Sequence, residues 1–348
     1  MRSAKTKQRS TINEVAERAG VAKTTVSHAI SGKRPVAAET RERIFTAMRD
    51  LQFTPNPIAQ RLAGHRPDHT IGLVLPLASS TLGDVELRFI TSIAEVINRH
   101  NFTLLTLSSP RVGAEDLRQI LLSGLVDGLV LMRIQVNDDR VRLLKEARVP
   151  FVMIGRTRDN QGLTYVDLDG EAASALAINY LVELGHRQIA FICPEDLNFG
   201  FAYRLVKGFE KSCRKHNLPL ITSPAVPSDD AGYRAMKQLL VDRPELTAVV
   251  VWSDVVAVGA ISALRDAGRD IPGDVSLISF DRSEHLPMAL SDLTIIDTRP
   301  EVIGVQAAEM LLDLLNEAPL AKTQILMPPR LINGKSTARR LETVALSA

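Results

Sequence analysis

The sequence predicts a small all-α head with a helix-turn-helix, followed by a larger α/β core of two open, Rossmann-like subdomains. Three observations predict it. Residues 11–30, TINEVAERAGVAKTTVSHAI, read as a helix, a glycine turn and a second helix. Charge is unevenly divided: residues 1–66 hold 13 Lys+Arg against 5 Asp+Glu, a net of +8, which leaves 29 against 35, a net of −6, for residues 67–348. From residue 70 onward, apolar strand-like runs alternate with helical patterns, which is the signature of βαβ units and a parallel sheet.

The first helix starts at Thr11, an N-cap whose capping box is completed by Glu14 three residues on. Ile12, Val15, Ala16 and Ala19 give it one apolar face, and Gly20 ends it where the chain turns. Lys23 opens the second helix. Lys23 and Ser27, and Thr24 and His28, are each four apart, so four polar side chains share a face. Val26 and Ile30 are expected on the opposite side, against the first helix. A short polar-faced helix after a glycine turn is what a helix-turn-helix places in a major groove. A third helix over 38–51, with Ile44, Ala47, Met48 and Leu51 as its apolar stripe, completes a head ending near residue 53. Residues 1–9 carry four cations and no acid, and read as an arm able to touch phosphates.

Residues 54–66 open with two prolines and reach Gly64 after about two helical turns. Pro57 suits a first turn. So short a helix is marginal alone in water, which predicts a linker that folds only against a partner.

The core, residues 67–348, is read as two series. The first holds strands near 70–76, 102–107, 128–132 and 151–154, with helices over 84–100, 114–122 and 138–147. The second holds helices over 170–184, 201–216, 231–241 and 255–267, with strands near 188–192, 247–252 and 275–280. Two open sheets facing each other predict a cleft that binds a small molecule beyond the carboxyl ends of the strands.

Composition excludes several classes. Hydrophobic content of 45% and charged content of 24% are ordinary for a globular protein. The two cysteines, Cys193 and Cys213, show neither a CxxC nor a His-spaced metal pattern, and read as buried thiols in a reducing compartment. No signal peptide or apolar run of membrane-spanning length is evident, so a cytoplasmic protein without membrane contact is expected. A nucleophile elbow, a Walker loop, a dinucleotide fingerprint and a zincin motif are all absent from the sequence. No enzyme, no cofactor and no metal site is expected.

The head TINEVAERAGVAKTTVSHAISGK, the linker FTPNPIAQRLAG, the entry strand TIGLVLP and the segments LVELGHRQIAFI and DVSLISFD, in this order and spacing, closely resemble the lactose-repressor (LacI/GalR) family of transcriptional regulators over essentially the whole chain. The resemblance implies a three-helix DNA-binding head (1–53), a hinge helix (54–66) and a periplasmic-binding-protein-like core. Within that core it implies a first subdomain of about 70–167 and 297–323, and a second of about 168–296 and 324–340. It further implies a homodimer on double-stranded, pseudo-palindromic operator DNA, controlled by a small effector, with repression as the expected action.

By the same resemblance, Lys23, Thr24 and His28 match base-reading positions, while Thr25 and Ser27 match neighbours that reach phosphate. Asn56 and Ala59 match linker positions at the groove, and Leu62 matches the leucine that wedges into the minor groove, where unstacking is offset by the bend it allows. His28 lacks the bidentate fork that Arg presents to guanine, which implies a variant of the family operator. In the core, Arg204 and Asp281 match effector contacts, Ser253 stands where Asn is usual, Tyr233 occupies an aromatic position, and Arg156 and Arg133 follow strand ends that face the cleft. Gly170 replaces the family's Asn after the crossing-strand Asp, and Gly334 replaces an Arg. The effector expected first is a sugar or sugar derivative; a nucleobase acting as corepressor is the alternative, and a solute-binding protein without DNA binding is a third reading.

Overall fold

The structure is a computed structural model that describes residues 10–31, 34–53, 69–76, 83–108, 113–281 and 292–340. The linker assignments at Asn56, Ala59 and Leu62, and the basic arm 1–9, lie outside the described residues. The described residues fall into two compact units, one holding the first three helices and the other both β-sheets.

In the first unit, α1 spans Ile12–Ala19, α2 Lys23–Ser31 and α3 Ala38–Asp50. The capping box forms: the Thr11 backbone N–H donates to the Glu14 carboxylate at 2.7 Å, and the Thr11 hydroxyl accepts from the Glu14 N–H. Gly20 adopts φ 64°, ψ 39°, and its N–H closes on the Ala16 and Glu17 carbonyls; a Cβ is disfavoured in this left-handed conformation. The head core is made of Val15, Ala16, Ala19, Val26, Ala29, Ile44 and Ala47. Ala29, rather than Ile30, joins Val26 on the fully buried side of α2; Ile30 is only partly covered. The reason is the 100° step of the helix, which carries position 30 back toward the Lys23 side. The Ser10 hydroxyl donates to the Leu51 carbonyl at 2.7 Å, tying the start of this unit to the end of α3.

The second unit repeats one winding pattern twice. In the first lobe, β1 (Thr70–Val74), α4 (Asp84–Arg99), β2 (Thr103–Leu107), α5 (Ala114–Leu122), β3 (Gly128–Leu131), α6 (Asp139–Ala147), β4 (Phe151–Ile154) and β5 (Tyr165–Leu168) follow in order. In the second, α7 (Gly170–Glu183), β6 (Ile189–Pro194), α8 (Gly200–Lys215), β7 (Ile221–Ala225), α9 (Asp229–Asp242), β8 (Ala248–Val251), α10 (Asp254–Asp266), β9 (Ser276–Phe280) and β10 (Thr294–Asp297) follow. The chain closes with α11 (Pro300–Leu315), β11 (Gln324–Met327) and β12 (Arg330–Ile332). The sheet orders are β11-β5-β4-β3-β1-β2 and β12-β10-β9-β8-β6-β7. Every pairing is parallel except β10 with β12.

The chain crosses between lobes after β5, after β10 and after β11. The last crossing corrects the expected partition. Gln324 pairs with Tyr165 and Met327 with Leu168, so 324–327, expected in the second subdomain, complete the first sheet. An edge strand of four residues with alternating exposure carries too little pattern to assign by sequence. The same holds for β7, whose Pro224 suits an edge. The helix α11 packs Ile303, Ala307, Ala308 and Leu311 against Ile71, Leu73, Val130 and Val152 of the first sheet. The second sheet is covered by α7 and α8 on one face and by α9 and α10 on the other.

This double winding fixes where a ligand can bind. In each sheet the strand order reverses at one point, between β1 and β3 and again between β6 and β8. The crevice outside the carboxyl ends of the strands at such a reversal is the general binding place of open α/β sheets. The loops leaving β3, β6 and β8 lie at these reversals.

Candidate functional site

On α2, Lys23 and Thr24 are exposed, while Thr25, Ser27 and His28 are half-buried. Val26 and Ala29 anchor the opposite side in the head core. The Thr25 N–H donates to the Ala22 carbonyl at 2.9 Å, which starts the helix immediately after the turn. A helix of nine residues held by two buried side chains thus offers a short polar surface of Lys, Thr, Ser and His, of a size that a major groove admits.

The second candidate site lies where the two lobes meet. The loop after β3 runs against the loop after β6: the Gly200 N–H donates to the Ile134 carbonyl at 2.8 Å, and the Val136 N–H to the Asn198 carbonyl at 2.7 Å. A Cβ at Gly200 would stand 2.5 Å from both the Arg156 carbonyl oxygen and Arg204 Nη1, so this approach requires glycine. Arg204, on α8, reaches across with Nη2, which donates to the carbonyl oxygens of Thr157 (2.8 Å) and Arg156 (3.0 Å). Its Nη1 lies 4.0 Å from Asp167 Oδ2 and, among the described residues, is a buried donor without a hydrogen-bond acceptor. Arg156 Nε donates to the same Asp167 oxygen at 3.0 Å. Burial pushes the Asp167 carboxyl up to about 6, against the opposing pull of Arg204 and then Arg156. Gly170 contributes here too: a Cβ on it would lie 3.2 Å from the Arg204 Cβ, so a larger residue would crowd the arginine.

Arg133 lies at φ 52°, a strained conformation for this residue type. Its guanidinium stands 5.6 Å from the Phe199 ring centroid, within cation–π range. It also lies 3.6 Å from the Glu86 carboxylate. Asp281, at φ 55° beyond β9, is 4% exposed and accepts from the Thr298 N–H (2.9 Å) and hydroxyl (2.5 Å). Burial raises its carboxyl to about 6, against the lowering effect of the Thr298 hydrogen bonds and of Arg88. The Ser253 hydroxyl sits 3.3 Å from Asp254 Oδ1. Burial raises Asp254 above the ordinary carboxylate range, with Asp84 of the first lobe adding to the rise.

Arg204 and Arg156 are therefore brought together on Asp167, and Arg133, Ser253 and Asp281 each follow a strand end of the same lobe-facing edges. Tyr233 is not among them, and its expected effector role is corrected: its hydroxyl donates to Asp266 at 3.0 Å on the exposed surface, because α9 packs along α10 on the outside of the second sheet. Sequence reasoning missed Asp167, Thr157, Phe199, Phe201 and Trp252. The rings of Phe199 and Phe201 lie 6.0 Å apart and those of Phe201 and Trp252 6.2 Å apart. The one legible signal was Trp252, the only tryptophan of the chain, set immediately before Ser253-Asp254 at a strand end.

A helix-turn-helix unit joined in one chain to a two-lobed, doubly wound ligand fold defines a ligand-controlled DNA-binding regulator. Comparison with known proteins gives the family. Residues 11–56 match the model of bacterial regulatory proteins of the lacI family, and residues 178–337 match the periplasmic binding protein-like domain. The HTH-type transcriptional regulator AglR of Rhizobium meliloti is 36% identical over 284 residues, covering 80% of this chain and 78% of that protein. The HTH-type transcriptional repressor PurR of Erwinia tasmaniensis is 33% identical over 338 residues, covering 94% and 97%. Among solved structures, the Lac repressor dimer bound to operator and an anti-inducer superposes with a TM-score of 0.78 at 26% identity, covering 95% of this chain and 100% of that one. The transcriptional regulator CelR in complex with cellobiose gives 0.71 at 25%, covering 94% and 100%. The chain belongs to the LacI family: it is a DNA-binding transcriptional regulator, a family of regulators and not of enzymes. No helix among the described residues is long and apolar enough to cross a membrane.

Proposed function

We propose that the chain is a homodimeric, cytoplasmic repressor that reads a pseudo-palindromic operator through Lys23, Thr24 and His28, and that a neutral sugar held between its lobes controls DNA affinity. The observation that carries the effector reading is Arg204. Its Nη2 ties the second lobe to the first through two backbone carbonyls, while its buried Nη1 has no acceptor among the described residues. A ligand oxygen at Nη1 would satisfy that donor and favour the closed pair of lobes. A ligand shifts such a balance only by its differential affinity for the two arrangements.

Donors at Arg204 and Arg156, acceptors at Asp254 and Asp281, and half-buried aromatic faces suit a molecule rich in hydroxyls that both donate and accept. The structural relative solved with cellobiose supports a sugar. Asn56, Ala59 and Leu62 are assigned to the minor groove, with Thr25 and Ser27 on phosphate.

The test is selection of bound duplexes from a randomised pool at near-physiological salt, where nonspecific phosphate attraction does not dominate. A palindrome with a deformable central pyrimidine–purine step is expected, and Leu62→Ala should bind it more weakly and bend it less. Adding neutral sugars, and in parallel purine bases, to the complex then decides the effector class. Change of DNA affinity by a purine base alone would overturn the sugar.

A further inference from the structure

We infer that the effector is a disaccharide, or a longer neutral oligosaccharide, seated along the Phe201–Trp252 platform; this rests on the sugar reading above. The platform has a closed end and an open end. At the closed end, Phe199 bridges to the first lobe: its backbone pairs with Gln135 and its ring is faced by the Arg133 guanidinium. Arg133 is in turn held by Glu86 and by the Pro76 carbonyl, so this ring is already engaged.

Phe201 comes next in the row, its ring 6.0 Å from that of Phe199 with planes inclined by 25°, and it forms the outer pair with Trp252. Their centroids are 6.2 Å apart with planes inclined by 34°, a separation at which neither ring covers the other face-on. Both are only partly buried, against the second lobe's core. The Trp252 indole is fixed in place by its Nε1–H, which donates to the Ala225 carbonyl at 3.1 Å. Two adjacent, half-buried aromatic rings match two successive sugar rings, each offering an apolar C–H face. A single pyranose would cover one of them and leave the other against water.

The polar groups lie around this platform and not beneath it. Ser253 and Asp254 follow Trp252 directly, at the start of α10, and Arg204 lies one helical turn beyond Phe201 on α8. Hydroxyls at the ring edges would therefore meet donors and acceptors while the ring faces meet aromatic carbon. The two halves of the platform come from the strand ends on either side of the β6/β8 reversal, which is why no single sequence motif contains it.

Trp252 is the chain's sole tryptophan, so the protein carries its own probe. Full-length protein would be titrated with a panel of neutral mono-, di- and trisaccharides in α and β linkage, built from glucose, galactose, mannose and fructose. Tryptophan emission and calorimetry would both be read. The expected result is at least one di- or trisaccharide that binds thirtyfold or more tighter than each of its constituent monosaccharides and shifts the emission. Phe201→Ala should remove that preference with the fold intact by circular dichroism, and Trp252→Ala should do the same by calorimetry. A monosaccharide that binds as tightly as any longer sugar overturns the inference and leaves the sugar reading standing. Retention of the preference in both variants also overturns it. Binding by no member of the panel overturns the inference and the sugar reading together.

Discussion

Arg204 Nη2 donates to the Thr157 carbonyl oxygen at 2.8 Å, across the line where the two lobes of the core meet. One side chain thus links α8 of the second lobe to the loop after β4 of the first, within reach of the buried Asp167 carboxylate. The lobes are coupled through a charged group whose Nη1 is a buried donor without an acceptor among the described residues.

Removing that group should uncouple the two. Arg204→Ala deletes two charge-assisted hydrogen bonds to backbone carbonyls, each worth about 1.5–3 kcal/mol. Effector affinity is expected to fall by about a hundredfold or more, equivalent to about 2.7 kcal/mol, while operator affinity without effector stays within about threefold. Titration calorimetry and gel-shift assays on the same preparation check this; an unchanged effector affinity would sink the assignment.

Gly200→Ala tests the contact itself. The new methyl would stand 2.5 Å from the Arg156 carbonyl oxygen and from Arg204 Nη1, so the lobes must part or the arginine must turn. Effector affinity should drop at least tenfold, with secondary structure unchanged by circular dichroism. Overpacking of this kind commonly costs about 1–3 kcal/mol.

Asp281 makes a pH prediction. Its carboxyl is raised by burial to about 6 in the folded chain, against a usual value of about 3.9 when unfolded. Above pH 6 both states are ionised and the cost of burying the charge is full. As pH falls from about 6 toward 4 the folded state takes up the proton first, so this residue's contribution to stability rises. The neutral Asp281→Asn variant loses that gain. Its stability relative to wild type should therefore decline by about 1 kcal/mol between pH 7 and pH 5, measured by urea unfolding. His186 acts in the opposite direction: burial lowers its pKa, so its protonation favours the unfolded chain and stability is lost as pH falls below the ordinary histidine value of about 6.5. Comparing Asp281→Asn with wild type at both pH values isolates Asp281, because both proteins carry His186.

In the head, Gly20→Ala should cost about 1 kcal/mol. A Cβ there would meet nothing within 4 Å, so the whole effect is the left-handed backbone at φ 64°. Hydrogen exchange of the α1 amides in the full chain reads it directly. Protection equal to wild type would contradict the left-handed cap.

Much of this was legible in the chain. The capping box of Thr11 and Glu14 and the Gly20 stop are local events, decided within a few residues, and they fold as their sequence reads. Most of the long helices and of the central apolar strands likewise announce themselves by period and by run length, but the helix Pro300–Leu315 and the interior strands β5 and β10 were not read. The short edge strands β7, β11 and β12 do not, because pairing with a neighbour, and not their own pattern, makes them strands. Tyr233 illustrates the same limit in the site: an aromatic residue at a plausible position says nothing of which side of a sheet its helix will cover.

By itself, then, the sequence determined the alternation of strands and helices as far as residue 280, the basic head on an acidic body and the family, because these depend on local periodicity, capping and charge along the chain. The tertiary structure alone decided which residues share the cleft. Asp167, Thr157, Arg204 and the Phe201–Trp252 platform come from strand ends and helix starts far apart in sequence. They converge because two sheets with the same winding turn their carboxyl edges toward each other, and such convergence is a property of topology that no linear spacing encodes.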